Sequence, residues 1–461
     1  MKSIIKLYFL NILISRFRFF AIVSGLLVSS ISLYVCGRSA EDPIPLEKMF
    51  PDRAWAKPIR VPASLPGISG LKAEDCGRCH EDHWKEWRIS THANALGDLQ
   101  FQAELSKPNS PRWLCLNCHT PLSGQRESIA THLENGDVFR PIFETNPKYD
   151  PVWEKEGVTC GTCHLKADEQ GRITLIGPTG AAAPHPVEKN REALHARCND
   201  CHNQEYKLNA SLVCYFRTGE EYKESVHLGK EDCVSCHMPS VSRSVVIPSF
   251  NKSKRDSHRH TFVGGGVPKT FPLFDAHWKN GYRSGLEISR PVWSETAQDT
   301  IRVRVELSNR YAGHHVPTGD PERHVLVEGI LLNETGKEIA KIESRIGQIW
   351  EWYPEAKLVS DNRIRSGETR TVELALPKKR NEKPRYGIVR IKHVRLTKEN
   401  SQHMKKNANL APKPIAQKLK RIETEYPFAN LFYEAVTDFS NEKTVLKTEG
   451  ELLHRSKNGN L

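Results

Sequence analysis

The sequence predicts two parts: a loop-rich, mainly α module and, after it, an all-β, sandwich-like domain. Three observations carry that expectation. Ten of the twelve cysteines fall in five identical Cys-x-x-Cys-His pentapeptides, all between residues 76 and 237. The hydrophobic fraction is only 38%, low for a chain that must build its core from side chains alone. After Cys236 the cysteines stop, and from Ile301 apolar and charged residues alternate with a period of two.

At the N-terminus, Lys2, Lys6, Arg16 and Arg18 precede an uncharged run from Phe19 to Gly37, the pattern of an export signal. The run is also long enough to span a bilayer. Leu33-Tyr34-Val35-Cys36 loosely resembles a lipoprotein processing site, so residues 1–37 read as a signal peptide or a membrane anchor, with lipid on Cys36 as a third option. Residues 38–72 carry Pro43, Pro45, Pro51, Pro58, Pro62 and Pro66 and read as an extended linker.

The stretch 73–265 contains every pentapeptide: Cys76-Gly77-Arg78-Cys79-His80, Cys115-Leu116-Asn117-Cys118-His119, Cys160-Gly161-Thr162-Cys163-His164, Cys198-Asn199-Asp200-Cys201-His202 and Cys233-Val234-Ser235-Cys236-His237. Two thiols separated by two residues add across the two vinyl groups of one porphyrin, and the imidazole that follows ligates its iron. Zinc sites and redox dithiols also use Cys-x-x-Cys, but neither explains a histidine directly after every second cysteine. Five covalently bound c-type haems follow. Their flat apolar macrocycles supply the core that the side chains do not. Their roughly ten propionates, ionised at neutral pH, offset most of the formal charge of +12. No basic stripe with interleaved aromatics stands out, so nucleic acid is not an expected partner.

Ile301, Val303, Val305 and Leu307 alternate with Arg302, Arg304 and Glu306, and Val372 and Leu374 repeat the pattern. With His324 to Leu332, Glu338 to Ile346 and Gly387 to Leu396 also strand-like, residues 290–398 read as a small antiparallel sandwich. Residues 399–461 read as a helical segment and a polar tail.

The second axial ligand separates a carrier from a catalyst. Methionine is scarce: Met1 lies in the signal, and Met238 is too close to His237 to reach the opposite face, leaving Met49 and Met404. Fifteen histidines lie outside the pentapeptides, eight of them between residues 83 and 260. Bis-histidine ligation is therefore expected, and with it low reduction potentials. His92 follows Trp84, Trp87 and Ser90 in a helical arrangement and is the first candidate; His227 and His260 come next, with His258 competing with His260. His132 and His195 are weaker candidates, while His83 and His185 read as ordinary histidines.

Cys76-x-x-Cys79-His80 followed by Trp84, Trp87, Ser90 and His92-Ala93 resembles the opening of the cytochrome c-552/4 family of multihaem cytochromes. Cys115 to Leu122 and Cys233 to Pro239 also resemble that family and its relatives, the hydroxylamine oxidoreductases and pentahaem nitrite reductases. The resemblance covers residues 73–265 and implies His92, His227 and His260 as distal ligands, and electron transfer in respiratory redox metabolism. Gly313-His314-His315-Val316-Pro317-Thr318-Gly319 resembles a signature that accompanies such modules in longer relatives, which implies that His314 reaches back to a haem or, as the alternative, serves a structural role at a strand turn. No Cys-x-x-Cys-Lys unit is present, so the lysine-ligated catalytic site of the nitrite reductases is not matched.

The expected function is that of an exported pentahaem cytochrome at the periplasmic or outer face of a bacterial membrane. It would pass electrons between membrane quinol-linked or periplasmic redox proteins. The alternative is a haem-dependent oxidoreductase acting on a small nitrogen or sulfur compound at one open iron.

Overall fold

A Cys-x-x-Cys-His pentapeptide spans little more than one helical turn, so a helix places its two thiols and its imidazole on one face. The chain uses that geometry at four of the five motifs. Cys160–His164 and Cys233–His237 are helical throughout, and the second and fourth motifs close the longer helices Arg112–His119 and Arg191–His202. The first is divided: Cys76 lies in Ala73–Gly77, and His80 precedes the helix Glu81–Trp87. Side chains cap two of these starts, Asn190 accepting from the Ala193 N–H and Asp232 from the Ser235 N–H. Pro121 and Pro239 lie two residues beyond the second and fifth motif histidines, forcing Thr120 and Met238 out of helical geometry.

This computed structural model describes residues 42–458 except 52, 168–171, 181–183, 211, 265, 298 and 380. The expected signal or anchor in residues 1–37, with Cys36, lies outside the described residues. Among the described residues, no helix is long and apolar enough to cross a membrane.

The motif-bearing module is less helical than expected. Extended chain follows directly on His164 and His202, giving Leu165–Ala167 and Asn203–Lys207. Small sheets form from Leu165–Ala167, Ile173–Gly177 and Val187–Lys189, from Asn203–Lys207 with Val213–Arg217, and from Ser240–Arg243 with Arg255–His258. The stretch read as an extended linker is packed where the structure describes it. Ile44–Pro45 pairs with Leu133 and His132, and Leu46, Phe50 and Trp55 are buried against Trp113, Leu114 and Leu133. Its apolar residues, placed between the prolines, outweigh the prolines' preference for an open chain.

The C-terminal region forms two antiparallel sheets, whose strands are numbered here from β1. In the first, β3 (Thr300–Asn309) pairs along one edge with β1 (Leu286–Ile288) and β2 (Val292–Ala297), and along the other with β7 (Thr369–Pro377). The second has the order β6-β5-β4-β8-β9-β10, from Lys357–Asp361, Glu338–Glu351, His324–Leu332, Tyr386–Val394, Ala429–Asp438 and Lys443–Leu446. Val303, Val305 and Leu307 of β3 and Leu374 and Leu376 of β7 meet Val325, Val327, Val389 and Ile391 of the second sheet in one core. The stretch 399–461 holds helices such as Lys398–Lys406, Lys413–Leu419 and Glu449–Lys457, but also β9 and β10, so the second sheet runs well past residue 398.

Candidate haem sites

Four of the five motif histidines are oriented by backbone carbonyls. The Nδ1 atoms of His80, His119, His164 and His237 hydrogen-bond the carbonyls of Val245 (2.7 Å), Ala95 (3.0 Å), Ile176 (2.9 Å) and Val263 (2.7 Å). A carbonyl acceptor fixes the proton on Nδ1 and turns Nε2 outward as a lone-pair donor, the usual outer-shell arrangement of a ligating histidine.

Opposite the rings of His80, His164, His202 and His237 stand other imidazoles. Ring centroids are 6.3 Å apart for His80 and His185, 6.2 Å for His92 and His202, 6.4 Å for His164 and His260, and 6.3 Å for His237 and His314. Two imidazoles on opposite sides of one metal, each bonded at about 2 Å with about 1 Å from nitrogen to ring centre, put their centroids about 6 Å apart. Burial pushes the His92 imidazole down to about 3 and those of His119, His202, His260 and His314 to about 4. These rings are therefore neutral, the state that ligates a metal. The residues present fit c-type haem: paired thiols on one helical face, a neutral imidazole beside them and, at four motifs, a second imidazole at the separation an iron requires.

His119 differs. The ring that accompanies it is Phe101, stacked at 3.5 Å and 8°. Asp98 caps that phenylalanine's helix and is buried with Lys269, its ion-pair partner, and with Tyr426, whose hydroxyl donates to it at 2.9 Å. Burial works to raise the Asp98 carboxyl, but Lys269 and Arg395 hold it well below the usual range, while burial pushes Lys269 down to about 8.

Among the sequence candidates, His92 and His260 thus stand opposite motif histidines, and His227 does not. Its Nδ1 pairs with Glu231 at 2.9 Å and its Nε2 with the Arg310 carbonyl at 3.1 Å. His258 is bound through Nδ1 to the Met238 carbonyl, His195 to Asp232, and His132 to the neighbouring Thr131 hydroxyl. His83 lies half-buried between the His80 and His260 rings, at 5.8 and 4.7 Å. His185, read as an ordinary histidine between Pro184 and Pro186, is the ring facing His80. No local pattern marks it; its one sequence signal is that five motif imidazoles need partners from a short supply of histidines.

The motifs also touch one another. The thiols of Cys76 and Cys160, of Cys118 and Cys201, and of Cys198 and Cys233 are hydrogen-bond partners. Among the described residues no group of three or more His, Cys, Asp or Glu is arranged as a metal cage.

Residues 75–139, which include the first two motifs, match the model of the family "Cytochrome c554 and c-prime". Among solved structures, the fold is similar to a penta-heme cytochrome c552 from Thermochromatium tepidum. The likeness has a TM-score of 0.52 at 17% identity and covers 80% of this chain and 98% of that one. These findings support a multihaem cytochrome c with covalently bound c-type haem. A glycoside hydrolase family 2 β-glucuronidase aligns over 23% of the chain and 9% of its own, at 11% identity and a TM-score of 0.13, and carries no argument. No curated protein matches the sequence.

Proposed function

We propose that the chain is an exported pentahaem electron carrier, working outside the cytoplasmic membrane between redox proteins. The observation that carries this reading is the set of imidazole pairs at iron-spanning separation, which saturate an iron rather than leave it open. Each haem, when bound, supplies one-electron chemistry at low potential. The chain's own part is to anchor, orient and connect. Paired cysteines would fix each macrocycle, backbone carbonyls hold four of the imidazoles in the ligating tautomer, and neighbouring cysteine sulfurs bring the first site beside the third, the second beside the fourth and the fourth beside the fifth. The third-motif helix also packs on the fourth-motif helix, so the five attachment sites form one connected set with the fourth at its centre.

A second reading applies to the second site alone. Phe101 stacks on the face of the His119 ring, and among the described residues no second imidazole stands about 6 Å from it, so an iron held there would keep a position for a small nitrogen or sulfur compound. Pyridine haemochrome quantitation with electron paramagnetic resonance of the oxidised holoprotein tests both readings. Five haems per chain, four of them low-spin and one high-spin at the second motif, is the expected result. Replacing Cys115 and Cys118 by alanine should remove the high-spin signal and one haem. Five low-spin signals would restrict the molecule to carriage, and a count below five would sink the pentahaem reading.

A further inference from the structure

The two-sheet region does more than pack beside the motif-bearing module: it sends a histidine into it. The turn after β3 carries Gly313-His314-His315, and the His314 ring lies 6.3 Å from that of His237 with the planes 11° apart. This is the separation found for the three pairs formed within the module, and the nearly parallel planes match those of His164 and His260, at 16°. His314 Nδ1 hydrogen-bonds the His315 carbonyl at 2.8 Å, which leaves Nε2 for a metal, as at the motif histidines.

The turn is fastened from both sides. Within the sheet region, the buried Asn309 amide donates to the carbonyls of His314 at 2.8 Å and Ile364 at 3.0 Å, and Val316 bridges to Ile364. Across the seam, Glu221 of the helix Thr218–Lys223 is 5% exposed. It accepts from the Arg363 guanidinium at 2.5 Å, the Thr318 hydroxyl at 2.6 Å and the His315 N–H at 3.2 Å. Thr218 and Thr318 share a hydroxyl contact at 2.9 Å. Gly313 lets the turn come close, since a Cβ there would stand 3.3 Å from the Tyr222 ring. His227, the nearer candidate in sequence, has both ring nitrogens engaged by Glu231 and Arg310.

We propose that His314 is the second axial ligand of the iron carried by the fifth motif, with Glu221 as the positioning residue that holds its turn against the module. The site is then completed by two parts of the chain, and the two-sheet region is a structural member of the redox centre rather than an appendage. The proposal rests on the pentahaem reading above.

The test uses the full-length holoprotein, with haem content by pyridine haemochrome, spin states by electron paramagnetic resonance, and potentials by redox titration. His314→Ala should keep five haems and show one more high-spin iron than the parent protein. His314→Met should remain low-spin with one potential raised, because methionine ligation raises the potential of such haems. Glu221→Gln should give a mixture of the parent and His314→Ala spectra, and His227→Ala the parent spectrum. If His314→Ala does not accumulate, His314→Met decides, and an unshifted set of potentials overturns the proposal. An unchanged low-spin count in His314→Ala, or a new high-spin iron in His227→Ala, overturns it as well. A parent protein with fewer than five haems defeats the pentahaem reading instead.

Discussion

Glu322 sits where the β3–β4 connection meets the helix Lys398–Lys406, and Asn400 donates to its carboxylate at 2.9 Å. Burial pushes its carboxyl up from 4.5 to about 7, with the Asp320 charge adding to the shift. A carboxyl raised in the folded state binds its proton more tightly there than in the unfolded chain. Its stabilisation is therefore complete below pH 4.5 and is lost as pH rises through about 7. Glu322→Gln should leave stability at pH 4 unchanged and raise it at pH 8 by up to about 3 kcal/mol, read from denaturant midpoints at both pH values. At this scale the sequence showed the anchors clearly and the partners poorly. A pentapeptide whose members are covalently adjacent is visible in any window, whereas a facing imidazole is chosen by tertiary structure. His92 could be picked out on an expected helical offset from Trp84 and Trp87, yet the helix ends at Trp87 and His92 lies in the turn beyond it. His185 could not be picked out, because the chain between it and His80 folds back through loops with no period of their own.

Among the elements, the helix Glu81–Trp87 and the hairpin Ser240–Arg243/Arg255–His258 are clamped by one carboxylate. Glu86 accepts from Arg243 at 2.7 and 2.9 Å, from Arg259 at 2.9 Å and from the His260 N–H at 2.9 Å. Burial works to raise this carboxyl, but the donors outweigh it and hold it below its usual value. Glu86→Ala leaves Arg243 buried without its partner and should cost about 3 kcal/mol in equilibrium unfolding. It should also broaden the low-spin signal of the third site, since His260 loses its backbone anchor. A normal midpoint would show that the two arginines find other acceptors. Element by element, β3 was legible because one of its faces meets the core and the other meets water. β9 was not, because it is a central strand between β8 and β10 with the helix Glu449–Lys457 packed on it. Burial on both faces erases the period of two.

Over the whole molecule the two parts draw their cohesion from different sources. The largest aliphatic core lies entirely within residues 286–391, whereas the motif-bearing module has only smaller clusters around Trp113 and Leu122. A chain with all ten motif cysteines replaced by alanine should keep the far-ultraviolet signature of its sheets. Hydrogen exchange should become fast across residues 73–264 and stay slow in β3, β4, β7 and β8. Slow exchange in the module without haem would mean that side chains alone suffice to fold it. Cys76 with Cys160, Cys118 with Cys201 and Cys198 with Cys233 stand close enough to share a proton. In an oxidising compartment, a chain that folded before its thiols were capped would be poised to cross-link one motif to another and lose two attachment sites with each bond. A module that stays open until its haems are attached avoids that hazard, because its thiols are spent before they meet.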